Sequence, residues 1–303
     1  MRRVLSLILM LMVAACGARV AQAGGAEEKR IFHDGLKRFY LIERPDAEGP
    51  APALVVLHGG GGSARQVRRH TGFTLDREGW VEIYPNAIEK QWNDGRTALS
   101  GGPLREGDDI GFLRRILKQL ADDGVISRRR IYVTGPSNGG AMTQRLVCQA
   151  PELLAGAAPV IMNFPVGLDC PGRRAVPMLF ILGTEDPLVP FHGGPITVGK
   201  RDRGGVMPAP DTLAFYARRN GCAKAVQRQL PDVDPDDGTR VSRIDYRGCQ
   251  TPLAALIAEG GGHTWAGAPD RPLLRRVVGI TSRDISATAE IERFFLDLDR
   301  NLR

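Results

Sequence analysis

A serine, a histidine and an aspartate together can carry out nucleophilic acyl chemistry, because a serine hydroxyl is a weak nucleophile until a base takes its proton and an acid orients that base. Three segments of this 303-residue chain offer such residues. Ser137 stands in Gly135-Pro136-Ser137-Asn138-Gly139, a G-x-S-x-G pattern between an apolar run (131–134) and a helix-compatible stretch. Strand, tight turn and helix in that order can strain the serine and lift its hydroxyl off a sheet edge. Of five histidines, His33 precedes the fold proper, His58 belongs to a glycine run and His70 sits in a basic stretch, which leaves His192 and His263. His263 follows the last apolar run inside Gly260-Gly261-Gly262-His263, where glycines allow a loop to bring an imidazole over the sheet. Asp186 is the expected acid, in the loop after the run ending at Leu182, with Glu185 beside it as the alternative. For the oxyanion, the run His58-Gly59-Gly60-Gly61-Gly62 offers a backbone N–H from Gly59 or Gly60, and Asn138 offers a second directly after the serine.

These residues need a scaffold that ends several strands at one edge. Residues 53–57 and 178–182 are continuous apolar runs, as strands buried on both faces should be. Further strands are expected over 37–43, 81–84, 130–134, 158–162 and 252–258, with 226–230 and 241–246 flanking a polar loop. Apolar residues recur at helical spacing over 109–120, 139–149, 211–219 and 285–298, the last with Asp284 as its expected cap. Alternating strands and helices imply an α/β fold with a mainly parallel central sheet covered by helices on both faces. No repeat, low-complexity tract or linker divides the chain, so residues 24–303 are expected to form one catalytic domain.

Composition excludes several function classes. The chain is 43% hydrophobic and 25% charged, ordinary for a soluble globular protein. Its net charge of +7 comes from scattered arginines interleaved with acids (Arg65, Arg68, Arg69 and 128–130), a solvated surface and not a nucleic-acid footprint. Residues 1–23 read as an export signal: a basic Met1-Arg2-Arg3, an apolar segment over 4–15 too short to span a bilayer, and Ala21-Gln22-Ala23 as a cleavage site. Val13-Ala14-Ala15-Cys16 offers a competing lipoprotein site, and membrane attachment is expected only through a lipid on Cys16. Either route leads to an oxidising compartment, where the four cysteines left, Cys148, Cys170, Cys222 and Cys249, suggest two disulfides. Three pairings can be drawn, and the sequential one, Cys148–Cys170 with Cys222–Cys249, is favoured. No C-x-x-C spacing exists, so neither a metal nor a cofactor is expected.

The segments LVVLHGGGGSA (54–64), QWNDGR (91–96), DDIGFL (108–113), YVTGPSNGGAM (132–142), GTEDPLVPFHGG (183–194) and GGGHTW (260–265) resemble blocks of the α/β-hydrolase esterases grouped as polyhydroxybutyrate depolymerases and feruloyl esterases. The resemblance runs from about Gly35 to the final helix. It implies the α/β-hydrolase fold, with Ser137 as nucleophile, Asp186 as acid and His263 as base, and it places Cys148 and Cys222 where that family has paired cysteines. Pro136, Phe191 and Ala266 depart from the family pattern without touching the triad. Trp92 and Trp265 are candidates for an aromatic wall around the substrate, with core packing as the other reading of Trp92; Asp108 and Asp109 look like a helix start. The expected activity is hydrolysis of a small or oligomeric carboxylic ester by an exported monomer. A serine peptidase of the same fold and a catalytically silent binding protein are the competing readings. The glycine-rich loops suggest an open cleft, and the segment after His263 offers only a loop and a helix, with no surface-binding module, so soluble esters are expected in preference to crystalline polyester.

Overall fold

The computed structural model describes residues 25–302 except 47, 48, 173, 197, 200, 201 and 271. The expected export signal and Cys16 therefore lie outside the described residues.

Ten strands form one sheet: β1 (Glu27–His33), β2 (Leu36–Glu43), β3 (Ala51–Val56), β4 (Val81–Pro85), β5 (Ile126–Pro136), β6 (Gly156–Val160), β7 (Met178–Gly183) and, after the two-residue strands β8 (Gly194–Pro195) and β9 (Gly205–Val206), β10 (Lys224–Gln229), β11 (Arg240–Arg247) and β12 (Leu253–Glu259). Their order is β1-β2-β4-β3-β5-β6-β7-β12-β11-β10. The six central strands, β4 to β12, are parallel, and each edge is an antiparallel hairpin. This is the mainly parallel sheet of the α/β-hydrolase fold.

The helices are α1 (Ala64–Thr71), α2 (Asp109–Asp122), α3 (Asn138–Gln149), α4 (Ala209–Arg219), the one-turn α5 (Arg275–Val278) and α6 (Ala287–Arg300). Successive strand residues feed opposite faces, as the two-residue period of a strand requires. Val55, Val133, Phe180 and Leu182 pack with α2, α3 and α4 residues such as Phe112, Met142 and Tyr216. Leu54, Tyr132, Leu179 and Ile181 pack with Val67 of α1 and Ile291 and Phe295 of α6. The layers are thus helix, sheet, helix, and the apolar runs read as strands are those buried on both sides.

Two details differ from the sequence reading. His33 does not precede the fold: it ends β1, which pairs with β2 across Asp34-Gly35. Both turn residues have positive φ, 50° and 72°, as a tight two-residue hairpin turn demands, and the Asp-Gly pair was its sequence signal. The cap of α6 is Ser286, whose hydroxyl accepts from the Ala289 N–H; Asp284 instead accepts the N–H groups of Val233 and Asp234. At α2 the expected start holds. Asp108 caps it by accepting the Gly111 N–H, and buried Asp109 pairs with buried Arg38 at 2.6 Å.

Candidate active site

Ser137 sits between the last residue of β5 and the first of α3, with φ 56° and ψ −122°. A side-chain-bearing residue is uncommon there, and such strain costs on the order of 1–3 kcal/mol. What holds it is a hydrogen bond from its own N–H to the Val160 carbonyl, 2.9 Å, together with very close packing below. A Cβ on Gly135 would lie 2.5 Å from the Leu57 carbonyl oxygen, and one on Gly139 only 2.3 Å from it. Both glycines of the pattern are therefore required by the approach of β3 to the turn. Ile161, directly after β6, has φ 46° at the same edge of the sheet.

The loop after β7 carries Asp186. Its Oδ1 accepts the N–H groups of Leu188 and Val189, each at 2.8 Å, so the carboxylate is fixed by main chain. Its Oδ2 lies 2.7 Å from His263 Nδ1. An ionised carboxylate can only accept, so Nδ1 carries the proton and Nε2 presents its lone pair. The histidine loop follows β12 and is itself pinned: Gly262 N–H to the Ile280 carbonyl at 2.8 Å, His263 N–H to the Val278 carbonyl at 2.6 Å. Glu185, the alternative acid, is exposed, and only its main chain binds the loop, by an N–H to the Gly261 carbonyl. Since β5, β7 and β12 are parallel members of one sheet, Ser137, Asp186 and His263 all stand at its carboxyl edge. Among the described residues no hydrogen bond joins Ser137 Oγ to His263 Nε2, a contact that in hydrolytic enzymes tightens when substrate is bound.

The glycine run after β3 lies against the serine: a Cβ on Gly59 would be 3.7 Å from Ser137 Cβ. His58 shapes this loop from beneath. It is 1% exposed, its Nδ1 donates to the Gly59 carbonyl at 2.8 Å, and its Nε2 accepts the Ala87 N–H at 3.0 Å. Burial lowers its pKa, so the imidazole is neutral, with both nitrogens used by backbone. Asn138, the first residue of α3, has no intrahelical acceptor for its N–H. Its buried side chain binds the loop that follows β4, accepting the Trp92 N–H at 2.8 Å and donating to Asp94 Oδ2 at 2.6 Å. Asp94 in turn holds Arg96 through two-pronged contacts, Nε to Oδ1 at 3.0 Å and Nη2 to Oδ2 at 2.7 Å, both residues being buried. The sequence reading gave Asp94 and Arg96 no role, although their acid-x-arginine spacing in QWNDGR was visible.

Both tryptophans considered for an aromatic wall are buried. Trp92 is 1% exposed, and its indole N–H donates to the His58 carbonyl at 2.9 Å. Trp265 is 3% exposed, packs edge-on against Phe73 and donates to Thr288 Oγ1. Each satisfies its one polar atom inside the core, which is how a buried tryptophan is accommodated. The disulfides are Cys148–Cys170 and Cys222–Cys249, closing spans of 22 and 27 residues.

With this geometry in view, the chain is similar to several esterases. It is 29% identical over 261 residues to "Putative esterase NocK" of Nocardia uniformis subsp. tsuyamanensis, covering 81% of this chain and 74% of that protein. It is 25% identical over 285 residues to feruloyl esterase C of Emericella nidulans, covering 89% of this chain and 93% of the relative. Its fold matches that of an acetyl xylan esterase from Aspergillus awamori with a TM-score of 0.54 at 15% identity, over 89% of this chain and 99% of the other. No family model matches the sequence.

Proposed function

We propose that this chain, a carboxylic ester hydrolase similar to feruloyl esterases, works through Ser137, His263 and Asp186. Ser137 Oγ attacks the ester carbonyl carbon, and His263 Nε2 takes the hydroxyl proton. Asp186, fixed by the Leu188 and Val189 N–H groups, steadies the resulting imidazolium. The oxyanion receives the Asn138 N–H, at the positive end of α3, and the N–H of Gly59 or Gly60. When the tetrahedral intermediate collapses, the C–O bond to the alcohol breaks and His263 returns its proton to the departing oxygen. Water then attacks the acyl-serine by the same route in reverse, releasing the acid and restoring the hydroxyl.

One observation carries this reading: a histidine with Nδ1 bound to a main-chain-fixed carboxylate at 2.7 Å, at the sheet edge where a serine is held at φ 56°. Similarity to feruloyl esterases supports soluble aryl esters of the feruloyl type as substrates, with hydroxyalkanoate esters as the second class proposed. Export to an oxidising compartment agrees with two disulfides, and the described domain acts as a monomer. The test is hydrolysis of p-nitrophenyl acetate and methyl ferulate by the wild type and by Ser137→Ala. Loss of both activities in a folded variant supports the reading, and turnover near the wild-type rate refutes it.

A further inference from the structure

A cavity of about 210 Å³ lies beside the candidate active site, between the loop carrying Gln91 and Arg105 and the segment carrying Asp202 and Arg203. Two contacts join it to residues that flank the serine. Gln91 lines the cavity, and its Oε1 would lie 2.8 Å from a Cβ on Gly60. Asp94 also lines it and is bound by the side chain of Asn138, the residue after Ser137. The cavity wall carries three guanidinium groups, Arg96, Arg105 and Arg203.

Their charges are unequally answered. Arg96 is matched by Asp94 at 2.7 Å. Arg105 reaches Glu89 at 3.2 Å, but that glutamate is largely in water. The second carboxylate of the wall, Asp202, is taken up by main chain, accepting the N–H groups of Gly204 and Ser100. Arg203 has no carboxylate partner among the described residues, and its Nε is buried with no acceptor. Its terminal nitrogens make no hydrogen bond among the described residues and are not buried, so they can donate to an anion in the cavity. The planar fork of a guanidinium suits a carboxylate in particular.

We infer that this cavity binds a carboxylate carried by the substrate, held by Arg203 with Arg105, several bonds from the ester being cleaved. The inference rests on Ser137 being the nucleophile. The carboxylate could belong to the alcohol part, as in an ester of a hydroxy acid, or to the acyl part, as in a half-ester of a dicarboxylic acid. Either way the enzyme should prefer an anionic ester to its neutral counterpart. A single charge-assisted hydrogen bond gives a preference of roughly tenfold to a hundredfold.

The experiment measures kcat/KM for two pairs. One is 3-acetoxybutyrate against methyl 3-acetoxybutyrate, followed as acetate released. The other is monomethyl glutarate against dimethyl glutarate, followed as methanol released and counted per equivalent ester group. The wild type should favour the anionic member at least tenfold in one pair, and that pair identifies which side of the ester carries the carboxylate. Arg203→Gln should bring that ratio down about tenfold, Arg203→Lys should keep part of it, and the surface change Arg65→Gln should leave it unchanged. A wild-type ratio at or below one in both pairs overturns the inference, as does an undiminished ratio in Arg203→Gln. Failure of the underlying mechanism would look different: Ser137→Ala would then still hydrolyse every ester in the set.

Discussion

Two loops of this protein have nearly mirrored sequences and opposite chemistry. After β3 comes a histidine followed by four glycines, and after β12 come three glycines followed by a histidine. In the first, His58 is 1% exposed and both ring nitrogens are spent on backbone groups, so it can neither take nor give a proton without breaking the loop. In the second, His263 spends Nδ1 on Asp186, and its Nε2 has no hydrogen bond among the described residues, with 10% of the side chain exposed. Glycines give both loops their reach, but the partner of the imidazole decides whether it is a brace or a base. His58 braces the glycine loop over which the oxyanion would form in the mechanism proposed here, in which His263 moves the proton.

That contrast can be broken most severely by exchanging the consequences. His263→Ala should lower kcat by about four to six orders of magnitude, as removal of one member of a catalytic unit does, and leave the melting temperature almost unchanged. His58→Ala should act first on stability, with a far smaller loss of kcat than His263→Ala: it strands the buried Ala87 N–H and opens a cavity, so unfolding free energy should drop by about 2–4 kcal/mol. Kinetics and thermal melts on both variants check this. Equal losses of activity without loss of stability would erase the distinction.

Asp186→Asn is next in size. Geometry around Leu188 and Val189 can survive it, yet the histidine tautomer is no longer enforced, and a fall of about 10⁴ in kcat is expected. Glu185→Gln, one residue away and exposed, should stay within about twofold. Measuring the pair sharpens the claim that Asp186 is the acid; the opposite pattern would move the role to Glu185.

The smallest effect is in pH. Burial lowers the pKa of His58, so the unfolded chain takes up a proton near pH 6.5 while the folded chain does not. Stability from this group is full above that pH and is lost as pH falls through it, down to the lower folded value. Buried Glu82, raised to about 7, works the other way, adding stability at low pH that is lost between about 4.5 and 7. A urea-unfolding series from pH 7.5 to 5.5 should therefore show the wild type losing stability on acidification relative to His58→Asn. Parallel curves for the two proteins would mean that His58 is not held neutral.

Much of this was legible in the sequence because the informative segments are locally determined. The runs at 53–57 and 178–182 could only be buried strands, and G-x-S-x-G between strand and helix carried its own geometry. The first strand was missed because its alternating pattern is dominated by charge, EEKRIFH, and its one clear sign was the Asp-Gly turn after it. The cap of the last helix was misplaced by two residues, since Asp284 and Ser286 are both good caps and only tertiary contacts to Val233 and Asp234 decide between them. The two tryptophans were candidates for a substrate wall, with core packing as the other reading of Trp92; each indole is buried through partners far along the chain, which no local segment reveals. Arg203 carries no local motif at all; it became visible only when folding left its Nε without a partner.

The central claim is that Ser137 is the nucleophile activated by His263. It is tested most directly by treating the protein with a fluorophosphonate and mapping the modified peptide by mass spectrometry. The account predicts one adduct, on Ser137, formed rapidly in the wild type, absent from Ser137→Ala and slowed by orders of magnitude in His263→Ala. An adduct on another serine, or labelling of Ser137 at the same rate without His263, would contradict it.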